Sequence, residues 1–124
     1  MHFDPREQRA LREAGVDQET IAAASEAVVA ATETAAAELE AFFEDRETIY
    51  SDMDIAHSDS EIQEHTVDEL DLYTHADDLR GYLRFDSWGV YVEGGRVLSE
   101  DVVELTLGPT VHDRVRFGAS AEAL

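Results

Sequence analysis

"GYLRFDSWGVYVEGGRVLSEDVVELTLG" (residues 81–108) decides the fold. Leu83 and Phe85 alternate with Tyr82 and Arg84, and Val90 and Val92 alternate with Tyr91 and Glu93. Period two is the side-chain repeat of a strand with one buried face, so the segment reads as successive strands. Gly94-Gly95, between "VYVE" and "RVLS", predicts a two-residue hairpin. Upstream, "TVDELDLYT" (66–74) alternates through Leu70 and Leu72. Downstream, Pro109 breaks a strand and "DRVRFG" (113–118) closes the meander. "THADDLRGYL" (74–83) reads two ways, as a hairpin loop or as a short helix capped by Thr74 or Asp77.

The N-terminal third has a different period. Asp4, Pro5 and Glu7 are spaced as cap, first helical residue and capping-box acid, and Gly15 stops that helix. Asp17 caps a longer, alanine-rich helix on which Ile21, Val28, Ala35, Phe42 and Ile49 recur every seven residues beside Leu39. A seven-residue apolar repeat is a packing seam, either the core face of the helix or a helix–helix dimer contact. The expected fold is α+β: N-terminal helices packed on a C-terminal antiparallel β-meander of four to six strands. It forms a single domain over residues 1–124, with a helical part at 1–50, an acidic connector at 51–66 and a sheet at 67–118.

The chain has 124 residues, with 29 acidic side chains against nine basic ones and a formal charge of −20. Every basic residue is an arginine. Such charge on a chain that is 44% hydrophobic in patterned blocks belongs to the surface of a folded protein. Self-repulsion of that size is screened in molar salt, so the composition points to a salt-filled cytoplasm. The alternative is an acidic mimic of nucleic acid built on residues 17–71. Cysteine is absent, which excludes disulfides, thiolate metal sites and cysteine nucleophiles. No apolar run is long enough to span a membrane, and "MHFDPREQRA" has no signal-peptide core.

"HADDLRGYLRFDSWGVYVEGGRVLSEDVVELTLGPTVHDRVRF" (75–117), together with "DRETIYSDMDIAHS" (45–58), resembles a functionally uncharacterised family of small acidic haloarchaeal proteins. The resemblance implies a halophilic cytoplasm and carries no activity or catalytic residue. "ALREAGVDQETIAAA" (10–24) resembles a DNA-binding helix–turn–helix. However, its second helix lacks arginine and lysine and carries Glu19, Glu26, Glu33, Glu38, Glu40 and Glu44, which would repel phosphates. Nucleic acid is therefore not the expected partner.

Two constellations remain. Asp52, Asp54, His57 and Asp59, followed by His65, combine imidazole and carboxylate, ligands suited to zinc, manganese or iron. His57 and His65 are eight apart, outside the spacings of one helical turn, and acids near any histidine are expected in so acidic a chain. The first expectation is a solvated loop with no cofactor, and Asp54, His57 and His65 holding a divalent metal is the alternative. The sheet carries the second constellation. Residues 1–78 hold 22 acids and four arginines, a balance of −18, whereas residues 79–124 hold seven acids and five arginines, a balance of −2. Alternation turns Arg80, Tyr82, Arg84, Tyr91, Arg114 and Arg116 to one face, with Trp88 expected in the core. Arginine and tyrosine are enriched in binding hot spots. The leading expectation is thus a non-catalytic interaction module that binds a protein partner or forms a homodimer through this face or through the alanine-rich helix seam.

The acidic coat predicts cooperative folding above about 1 M KCl and loss of structure in dilute buffer, where screening lengths reach ~10 Å or more. Far-UV circular dichroism and melting curves across a KCl series check this. Full signal and an unchanged melting temperature in dilute buffer would refute it.

Overall fold

The computed structural model describes residues 3–54, 61–109 and 113–124. Two helices, α1 (Pro5–Glu13) and α2 (Gln18–Glu44), precede six strands. The strands are β1 (Thr48–Ser51), β2 (Gln63–His75), β3 (Asp78–Phe85), β4 (Gly89–Val97), β5 (Val102–Gly108) and β6 (Asp113–Gly118). A 3₁₀ turn, Ala121–Ala123, follows.

Each helix begins as its cap chemistry requires. The Asp4 carboxylate accepts from the backbone N–H groups of Arg6 and Glu7 at 2.8 and 2.9 Å. Asp17 accepts from Thr20 at 2.8 Å. Both carboxyls are held below their ordinary range, chiefly by these backbone hydrogen bonds. Between the helices, the Val16 N–H bonds to the Leu11 carbonyl and the Gly15 N–H to that of Arg12, with Gly15 at φ +96°. This closure needs a residue in the left-handed region, which glycine supplies.

The six strands run antiparallel in chain order and close into a barrel, with β1 pairing both β2 and β6. Inward positions form one apolar core that includes Leu70, Leu83, Phe85, Val90, Val92, Val103, Leu105, Leu107, Val115 and Phe117. The C-terminal half of α2 adds Ala36, Leu39, Phe42 and Phe43 to that core, and Phe43 meets Phe117 edge-on at 5.3 Å. Each such side chain, fully buried, stabilises by about 1.5–3 kcal/mol. No described helix is long and apolar enough to cross a membrane.

The fold is the expected α+β arrangement, with several local corrections. The long helix stops at Glu44, short of residue 50, and Ile49 lies in β1, so its seven-residue spacing from Phe42 is coincidental. The Arg46 guanidinium ends the helix by donating to the Phe42 carbonyl at 2.9 Å while lying over the Phe42 ring at 4.3 Å. Of the remaining seam, Ile21 and Phe42 are buried, and Val28 and Ala35 are half-buried. β2 begins inside the segment read as an acidic connector. Residues 74–82 form a hairpin, turning at Ala76 with φ +54°. Trp88 is 40% exposed and packs on Phe85 from outside the core.

Gly94-Gly95 is not a turn. Both glycines lie within β4, where the pairing with β5 shifts register between Val92 and Gly94. The turn to β5 comes later, with Leu98 and Ser99 donating to the Val102 carbonyl. A Cβ at position 95 would stand 2.7 Å from Leu105 Cδ2 and 2.9 Å from Leu39 Cδ1. Glycine here admits the helix to the strand. Gly95→Ala is accordingly expected to destabilise by about 1–3 kcal/mol through overpacking, measured by denaturant titration. A stabilised or unchanged protein would contradict this docking.

Candidate binding face and the buried histidine

The alternating burial of β3 and β4 turns Arg80, Tyr82 and Arg84 outward on one strand and Tyr91 and Glu93 outward on the next. Tyr82 pairs with Tyr91 across the ladder, and their rings meet edge to face at 5.2 Å. Both rings stay open, at 39% and 61% exposure. Tyr73, at 65%, lies opposite Arg80 in the β2–β3 register. Arg80 makes no ion pair among the described residues. An aromatic pair in this geometry adds about 0.5–1.5 kcal/mol beyond the area it buries.

Arg84 is engaged within the sheet. A register shift between Val67 and Glu69 turns both Asp68 and Glu69 outward. The Arg84 guanidinium bridges them, Nε to Asp68 at 2.9 Å and an Nη to Glu69 at 2.7 Å. Nothing in the local sequence signals the bulge that places two acids side by side.

The six expected face residues fall into two groups. Arg80, Tyr82, Arg84 and Tyr91 share β3 and β4. Arg114 and Arg116 lie on β6, separated from them by β5. There Arg116 and Arg96 both approach Glu104, at 3.9 and 3.1 Å.

The described residues of the Asp/His segment take different roles. Asp52 continues the closure of the barrel: its backbone N–H donates to the Arg116 carbonyl at 3.2 Å, and its carboxylate accepts the Arg116 N–H at 2.8 Å. Asp54 is exposed. His57 and Asp59 lie outside the described residues. Among the described residues, no group of three or more histidines and acids is placed to hold a metal ion.

His65 is the main correction. It was expected in solvent, but it is 7% exposed and points into the barrel, because 63, 65 and 67 are the inward positions of β2. Its ring stacks on Phe85 at 4.7 Å, and its Nε2 lies 2.6 Å from Oγ of the fully buried Ser51. Ser51 Oγ also accepts the Met53 N–H at 3.3 Å. Burial pushes the imidazole below its ordinary value of 6.5, which favours the neutral ring, and the tautomer sets which of Nε2 and the serine hydroxyl donates. A serine hydroxyl beside a neutral imidazole is also the makeup of a nucleophilic pair. Here, however, Ser51 is sealed in the core and no substrate can reach it. The pair satisfies buried polar groups where β1, β2 and β6 meet. Alternation from Leu70 and Leu72, carried back unbroken, turns position 65 outward, and only the bulge between Val67 and Glu69 brings His65 inside.

His65→Ala should therefore cost about 2–4 kcal/mol, from the cavity and from the orphaned Ser51 hydroxyl, where a solvated histidine would cost under about 0.5 kcal/mol. Because the folded-state value lies below the unfolded 6.5, the stability that His65 contributes is present above that pH. It falls away as protons bind the unfolded chain at lower pH. The gap between wild type and variant should shrink from about pH 7.5 to pH 5.5, as read by denaturant titration at each pH. A gap that is small throughout would place the histidine in water.

No curated protein and no solved structure matches the chain. A family model does, over residues 1–122 and thus across both helices and all six strands. The chain belongs to the family of unknown function DUF7532.

Proposed function

We propose that the protein is a non-catalytic interaction module that docks a protein partner, a second copy of itself or another chain, on the outer surface of β2, β3 and β4. The carrying observation is the exposed Tyr82–Tyr91 pair, flanked by Tyr73 and the unpaired Arg80. Tyrosine offers a large, stiff contact area with a polar tip, and arginine beside it can hold a partner carboxylate through paired hydrogen bonds. Among the described residues, four of the six large apolar side chains that stay exposed, Tyr73, Tyr82, Trp88 and Tyr91, belong to this part of the barrel. The acidic remainder would keep unwanted contacts apart and suits a salt-rich cytoplasm.

Arg84 serves this face as a brace. Its two bridges are exposed, and exposed pairs contribute about 0.2–1 kcal/mol each. Arg84→Ala should thus lower stability only slightly. Tyr91→Ala should leave the barrel folded and weaken association by about 2 kcal/mol or more, as at a binding hot spot. Light scattering and pull-down in matched salt compare wild type with Tyr91→Ala. The same mass and the same captured proteins in both would remove this face from consideration.

A further inference from the structure

Further round the outer surface of the barrel, across β4, β5 and β6, lies a recess of about 240 Å³, lined by Gly95, Arg96, Glu104, Thr106 and Arg114. Register explains how it forms. Arg96, Glu104 and Arg116 stand in one row across β4, β5 and β6, and Gly94, Thr106 and Arg114 stand in the next. Gly94 leaves the outer surface open opposite Thr106, since even an added Cβ would stay 3.7 Å from Thr106 Oγ1. The result is a hollow with a hydroxyl in its floor and guanidinium groups at its rim.

Charge in this hollow runs against the rest of the molecule. Three of the chain's nine arginines gather around one glutamate, whereas the whole chain carries −20. Glu104, with 12% of its side chain exposed, is divided between Arg96 and Arg116. Arg114 makes no ion pair among the described residues. The neighbouring Asp113 carboxylate is turned to the Arg114 backbone N–H, at 2.8 Å. Cross-strand bracing accounts for Arg96 and Arg116 but leaves Arg114 unexplained.

We propose that this recess is an oxyanion site that takes a phosphate group, free or as the monoester of a small molecule, between Arg96, Arg114 and Thr106. A planar carboxylate is satisfied by one guanidinium fork. A tetrahedral dianion can use donors converging from two guanidiniums and a hydroxyl, as these three residues supply. Glu104 holds Arg96 in place and also competes with the ligand for it. A site of this kind is local by necessity, because the long-range field of the chain repels anions.

Inorganic phosphate and methyl phosphate, titrated into the full chain and followed by calorimetry and ³¹P line broadening, test the site. Wild type should saturate at one phosphate per chain. Arg114→Gln, an exposed change, should keep the circular dichroism of wild type and weaken binding by ~tenfold or more. Glu104→Gln should tighten binding severalfold by releasing Arg96. Tyr91→Ala should leave binding unchanged, which separates this site from the docking face. Binding of both probes identifies a site open to phosphate esters, and binding of inorganic phosphate alone identifies one closed around the free ion. No saturable binding by folded wild type, or equal affinity in Arg114→Gln, overturns the proposal.

Discussion

Tyr50 pairs with Gly118 and Ser51 with Phe117, and those two rungs, extended by Asp52 on Arg116, turn a meander into a barrel. An open sheet would present the free edges of β1 and β6 as templates for another chain, and closure removes both. It also creates an inside. β1 has four residues, so it can take its place only if α2 ends where it does. Arg46 caps the helix, and the Val67 N–H on the Glu47 carbonyl at 2.8 Å then starts the pairing with β2. The short strand thus joins the helical and sheet halves of one core.

That core explains where the polar groups went. Ser51 and His65 face inward at the seam of closure, where they hydrogen-bond to each other and the imidazole stacks on Phe85. Neutral imidazole is tolerated there because its Nε2 has a hydrogen-bond partner in Ser51 and because burial disfavours its charged form. Of the residues in the metal reading, His57 lies outside the described residues. Asp52 closes the barrel, Asp54 faces solvent, and His65 is buried.

The outer surface follows from the same alternation, since every second strand position must face outward. Acids hold many of these positions, and the arginines among them fall into two settings. On β3, Arg84 answers two acids exposed by a bulge, next to the open tyrosine pair. On β4 and β6, Arg96 and Arg116 share Glu104 while Arg114 faces a hollow floored by Thr106. The Tyr82–Tyr91 pair and the Thr106 hollow thus stand apart where the sequence suggested one continuous face.

The sequence by itself determined what depends on neighbours in the chain. Caps at Asp4 and Asp17, the stop at Gly15, the inward Leu83, Phe85, Val90 and Val92, and the outward arginines and tyrosines all follow from local chemistry or period. Tertiary structure decided whatever depends on which strand lies beside which. Alternation gives a strand two faces but no partner, so neither closure through β1 nor the separation of Arg114 from Tyr91 could be read from it. A glycine pair fits a tight turn and a close helix approach equally well, and Leu39 chose the second at Gly95. Trp88 and His65 exchanged their expected places, the indole outside the core and the imidazole within it. Residue type sets only the cost of burial, and the closed barrel supplied the hydrogen bond and ring contact that offset it for His65.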